Sequence, residues 1–117
     1  RARAAALAGM AAAATADARL FEPGQGLEDA VARLVALPGI GDWTAQYIAM
    51  RALREPDAFP AADIGLMRAL ATAEGRPTPQ ALLRRAEAWR PWRAYAALHL
   101  WASEPVAAKE IRLEAAA

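Results

Sequence analysis

Proline and glycine cut an alanine-dominated, helix-forming sequence into pieces too short for anything but a cluster of small helices. Eight prolines and seven glycines punctuate the 117 residues. Alanine is the best helix former, and the β-branched residues that favour sheets are scarce. The expected fold class is therefore all-α. Apolar residues at helical spacing, read between the breakers, predict helices over 3–16, 27–36, 42–54, 63–74, 79–90 and 92–102. The first has Leu7 and Met10 on one face. In the second, Leu27, Val31, Leu34 and Val35 recur at helical spacing. The stretch 106–117 reads as a weakly helical tail.

Hydrophobic residues make up 56% of the chain, enough to fold one small domain. Much of that share is alanine, so the core must lean on Leu, Ile, Val, Met and the aromatics. There is no cysteine. Disulfides, thiolate-held zinc and a cysteine-held iron–sulfur cluster are thereby excluded for this stretch. No apolar run approaches the roughly 18 residues of a membrane span, so no membrane partner is expected. Residues 1–14 are basic and alanine-rich like a leader, but Gly9 and Met10 interrupt the run, and the start reads as cut from a longer protein. The net charge is only +1. Any nucleic-acid contact must then come from local geometry and not from bulk charge.

The most informative segment is Leu37, Pro38, Gly39, Ile40 and Gly41, which joins the second and third helices. Proline stops the first ladder, and the glycines allow backbone angles that other residues resist. Such a turn brings the amides of Gly39, Gly41 and Asp42 together at a helix start, where unpaired N–H groups and the dipole favour an anion. A phosphate bound there would be held without regard to sequence. An ordinary helix–helix turn with a glycine C-cap has the same pattern.

Asp63 lies 22 residues beyond Gly41, at the head of the fourth helix. The simplest reading is an N-cap. Trp43 and Tyr47 are four apart and share a helix face, as core aromatics also do. Trp89 and Trp92, which flank Pro91, read as core or as packing against the hinge, and Tyr95 reads as core. His99, alone of its kind, is given no role. Arg84, Arg85, Arg90 and Arg93 cluster in sequence, either as a solvated helix face or as phosphate contacts. Arg51, Arg54 and Arg68 are equally ambiguous. Glu28, Asp29 and Asp57 look like helix-start and turn residues.

Three blocks in order, LPGIGDWTAQYIAMRAL (37–53), PDAFPAADIGL (56–66) and RPWRAYAALHLW (90–101), resemble the helix-hairpin-helix DNA glycosylase superfamily. The likeness is greatest to its DNA-3-methyladenine glycosylase II branch and covers roughly residues 7–103. It implies a compact helical domain, present in part over 1–104, with the hairpin at 27–54, the catalytic helix at 63–74, and a tail over 105–117. It implies that the hairpin, Leu37 to Gly41, grips the DNA backbone. The backbone carbonyls of Val35, Leu37 and Ile40 would hold a structural Na+ or K+, with no cofactor required for the chemistry. It makes Asp63 the catalytic aspartate and places Trp43, Tyr47 and Trp101 around a flipped base.

The expected activity is base-excision repair: hydrolysis of the N-glycosidic bond of alkylated purines, of the 3-methyladenine and 7-methylguanine class, in double-stranded DNA. Relatives that also nick the strand carry a lysine where this chain has Trp43, so the resemblance implies a monofunctional enzyme. Ile64 and Ala102 stand where some members place tyrosines, and Ala62 replaces a second acidic residue; these departures bear on damage preference. Upstream helices with a wedge loop, and an N-terminal β-rich domain, are expected elsewhere in the same protein and would be its partner in the site. The expected location is the cytoplasm, on the nucleoid. The alternative is a fragment that binds DNA through the hairpin without catalysis, or, further off, a helical interaction domain with vestigial motifs.

Overall fold

In the computed structural model, residues 1–103 are described, and the tail read over 105–117 lies outside them. Their regular structure is helical, as the breaker pattern predicts. The chain divides into two compact units, Arg1–Pro60 and Ala61–Ala117.

The first unit holds α1 (Ala2–Ala16), α2 (Leu27–Val35) and α3 (Asp42–Arg51). Helices α2 and α3 pack on each other. Leu34 of α2 and Ala45 and Ala49 of α3 are fully buried, and Ile40 from the intervening turn joins them. The alanines let the two backbones approach, while Leu34 supplies apolar area worth about 1.5–3 kcal/mol. Phe59 closes this unit from the C-terminal side and is also buried. Its backbone amide donates to Gln46 Oε1 of α3 at 3.0 Å. Helix α1 has no buried residue, and Leu7 is exposed. Val35 is exposed as well, so the buried face of α2 is carried by Ala30 and Leu34.

Helix α3 stops three residues short of its expected end. Arg54 adopts a left-handed angle, φ 57°. As the chain reverses there, the amides of Leu53 and Glu55 take up the carbonyls of Ile48 and Ala49. Exposed carbonyls of a last turn are satisfied in this way when the chain turns back.

The second unit holds α4 (Ile64–Ala69), α5 (Pro79–Ala86), a single 3-10 turn (Glu87–Trp89) and α6 (Arg93–Ser103). Helix α4 is much shorter than the expected 63–74. Thr72 and Gly75 exchange two backbone hydrogen bonds at 3.0 Å, and Thr72 Oγ1 accepts from the Glu74 amide. A threonine side chain that bonds nearby backbone offers an alternative to the helix, and Gly75 at φ +116° completes the turn. Thr78 caps α5 by accepting from the Ala81 amide at 3.1 Å, with Pro79 in the first turn. Helix α5 ends at Ala86 instead of running to 90, because the chain tightens into the 3-10 turn ahead of Pro91.

Helix α4 packs on α6. Among the described residues the buried set of this unit is Ala61, Leu66, Leu82, Ala86, Ala94 and Ala97, with Arg93 at 5% exposure among them. That face of α6 leaves Tyr95 on another side, and Trp92 lies just ahead of the helix. They are 55% and 57% exposed, so the expectation that Tyr95 is a core residue is corrected, and of the two readings of Trp92 the core one is excluded. The two rings instead meet edge to face at 5.9 Å.

Candidate nucleic-acid interface and reaction site

The turn between α2 and α3 is built as its residue types require. Gly39 takes φ +83°, a conformation that L side chains rarely adopt. A β-carbon at Gly39 would also lie 2.9 Å from the Ala6 Cβ of α1, so glycine is required here twice over. The buried Ile40 anchors the turn, and its amide donates to the Leu37 carbonyl at 3.2 Å. Pro38, Gly39 and Gly41 are exposed. Gly41 is the N-cap of α3 in extended backbone, and no side chain caps that end. The helix start therefore presents its amides with only Asp42 as a local acid. That carboxylate complements the helix dipole itself, so attraction for an external anion rests on the amides.

On α3, Trp43 and Tyr47 stack with centroids 5.0 Å apart and planes 9° from parallel. The Arg51 guanidinium lies over the Tyr47 ring, 5.6 Å from its centroid. The three side chains follow at four-residue steps along one helix face. Trp43 is 38% exposed. The shared face is as the spacing predicts; the stacking, and the arginine that extends it, were not legible in the spacing.

In the second unit Asp63 is the N-cap of α4, with φ −74° and ψ 126°. Its Oδ2 accepts from the Leu66 amide at 2.9 Å, which is the ordinary capping bond. The same oxygen accepts from the Trp101 indole Nε1 at 2.7 Å. Two N–H donors thus converge on one carboxylate oxygen, and both sites are partly buried. A carboxylate held by such charge-assisted bonds is fixed in plane and position. The 38-residue separation gives no local signal for this pairing. Gly65 lies beside both groups, and sequence reasoning passed over it, as it did Gln46; Arg93, read as part of a solvated face or a phosphate contact, is instead buried.

The expected site residues therefore fall into two groups, each within its own unit. Trp43 and Tyr47 stand with the hairpin turn in the first; Asp63 and Trp101 meet in the second. Among the arginines, Arg84 and Arg85 are exposed, and Arg90 pairs with Glu87 at 2.9 Å on the surface. No group of three acidic, histidine or cysteine side chains suited to a metal is found among the described residues. No described helix is long and apolar enough to cross a membrane.

No family model matches the chain. Curated proteins do. The chain is 56% identical over 70 residues to a probable bifunctional transcriptional activator/DNA repair enzyme AlkA of Mycobacterium tuberculosis, covering 59% of this chain and 14% of that protein. It is 40% identical over 77 residues to the DNA-3-methyladenine glycosylase of Bacillus subtilis, covering 63% of this chain and 25% of the relative. It is 40% identical over 78 residues to DNA-3-methyladenine glycosylase 2 of Escherichia coli, covering 67% and 26%. The matched stretches span between 14% and 36% of the relatives' lengths. Over these stretches the chain is similar to part of DNA-3-methyladenine glycosylases.

Proposed function

We propose that this chain is part of a monofunctional DNA glycosylase that removes alkylated purines, of the 3-methyladenine and 7-methylguanine class, from double-stranded DNA. The observation that carries the reading is the Asp63 carboxylate, held by two N–H donors at the head of α4, in a chain similar to named glycosylases. Cleavage of an N-glycosidic bond sends the bond's electron pair to the departing base and leaves positive charge on the sugar. A fixed carboxylate about 4 Å from that charge stabilises it by about 4 kcal/mol at an effective dielectric near 20. That is roughly a thousandfold in rate. Water then adds to the sugar carbon and gives up a proton, and an abasic site remains. Asp63 orients that water or takes its proton. At position 43 there is an indole and no amine, so no Schiff base forms there and the strand is not cut.

The hairpin turn supplies the grip on the strand. Its amides and small exposed residues suit a phosphate, and such contacts carry no base information. The carbonyls of Val35, Leu37 and Ile40 suit a weakly held Na+ or K+: they are neutral oxygens on a tight turn, and Leu37 keeps one lone pair beyond the bond from Ile40. That ion would stiffen the turn. A base must leave the duplex before it reacts, and Trp43, stacked on Tyr47, offers an aromatic face that attracts a cationic purine. On this reading residues 1–104 are one part of a larger glycosylase domain, and the rest of the same protein supplies the remaining walls of the pocket.

The test is base release from a 7-methylguanine duplex by the full-length protein. Release that falls about a thousandfold in Asp63→Asn, with duplex binding kept, is the expected result. Salt-sensitive binding with no release by the wild type would identify a DNA-binding module instead.

A further inference from the structure

We propose that Gly65 is a positioning residue for the Asp63 carboxylate: the absence of a β-carbon there is what lets the Trp101 indole reach it. Gly65 sits inside α4, a helix of only six residues. Glycine weakens a helix interior relative to alanine. Its backbone offers no compensating reason, because Gly65 is not among the residues with positive φ. The reason lies in its surroundings. A β-carbon built on Gly65 would stand 2.9 Å from Asp63 Oδ2, 3.1 Å from Trp101 Cδ1 and 3.3 Å from Trp101 Nε1. Those are the two partners, and the donor edge, of the 2.7 Å hydrogen bond. The methyl group of an alanine and that hydrogen bond compete for one space.

Neither partner yields easily. Asp63 Oδ2 is tied to the Leu66 amide by the capping bond, and the indole is carried on α6, which packs on α4. A side chain at position 65 must therefore displace the indole, break the cap or tilt the carboxylate. Each of these moves the charge that the reaction needs in one place. This inference rests on Asp63 being the reacting carboxylate. Gly65 acts through Asp63 and makes no contact with substrate in the argument.

The experiment uses the full-length protein with Gly65→Ala, Trp101→Phe and Asp63→Asn. Two quantities are read: the single-turnover rate of 7-methylguanine release, together with duplex affinity, and the Trp101 indole N–H resonance, assigned by its loss in Trp101→Phe. The expected result for Gly65→Ala is a rate about 100-fold lower with duplex affinity unchanged, and an indole resonance moved upfield from its hydrogen-bonded, wild-type position. A wild-type rate in Gly65→Ala overturns the proposal. So does a lowered rate with the indole resonance unmoved, because the loss then has another cause. Should Gly65→Ala not fold, Trp101→Phe carries the test: a slowed rate at unchanged affinity supports the positioning role, and a full rate overturns it. If Asp63→Asn itself releases base at the wild-type rate, the reading of Asp63 falls and this inference with it, while the indole resonance still reports whether Gly65 admits the hydrogen bond.

Discussion

Replacing Gly39 by alanine is the sharpest test of how the hairpin turn is held, because two separable costs meet at one atom. The left-handed angle, φ +83°, penalises any L side chain by about 1–2 kcal/mol. The new β-carbon would also lie 2.9 Å from the Ala6 Cβ, well inside the roughly 3.5–4.0 Å at which carbons rest against each other. Forcing extra volume into a packed contact costs about 1–3 kcal/mol. Helix α1 buries no residue and can shift, so the lower end of that range applies, and Gly39→Ala should destabilise by about 2–3 kcal/mol. The two costs separate in a double-mutant cycle. Ala6→Gly removes the opposing methyl but not the angle, at a helix-propensity cost of about 1 kcal/mol. The paired variant should be more stable than the two single changes predict by about 1 kcal/mol. Chemical denaturation with a fixed slope measures all four corners. A cycle that closes with no coupling refutes the contact between α1 and the turn. A Gly39→Ala variant as stable as wild type refutes the argument from the backbone angle too. Where binding is measured, Gly39→Ala should weaken affinity for every DNA sequence alike, since the turn has no base to read.

Other outcomes follow from single groups. Gln46→Leu takes the acceptor from the part-buried Phe59 amide and should cost about 1–3 kcal/mol in denaturant unfolding; a neutral result would show that the amide finds another partner. Thr78→Ala removes the cap of α5 and should cost about 1 kcal/mol, which Thr78→Ser should largely restore. The hydrogen bond from Thr72 Oγ1 holds the Glu74 carboxyl below its ordinary pKa, with a smaller contribution from its own backbone amide. A depressed carboxyl steadies the folded turn above the unfolded pKa, and that contribution is lost as pH falls through the folded value. Thr72→Val should therefore raise the pH at which Glu74 titrates by NMR, and an unchanged titration would remove the threonine from the account.

Local chemistry was legible where local chemistry decides. Breakers, helical spacing and caps located the six α-helices of the described residues, and the acid ahead of Ile64 was recognisable as a cap, which it is. Ends were misread where competing hydrogen bonds, not propensity, set them: the left-handed Arg54 truncates α3, and the Thr72–Gly75 turn truncates α4. Tyr95 was misread because an aromatic on a helix carries no label for the face that packs; alanines took that face in α6. The meeting of Trp101 with Asp63 joins residues far apart in the chain, so only packing reveals it. Gly65 was invisible for a related reason. Nothing in a sequence says which glycine is needed for its backbone and which for the space beside it.

The column on α3 has a consequence for how its middle member behaves. Tyr47 is engaged by an indole from the residue four positions before it and by a guanidinium from the residue four positions after it. At a 5.0 Å centroid spacing, no flat molecule slips between phenol and indole without prising them apart. Tyr47 is thus a backing plate rather than a seat. If a flipped base docks here as proposed, Tyr47 acts through Trp43, whose ring plane it sets in advance, so that less rotational freedom would be left to surrender on contact.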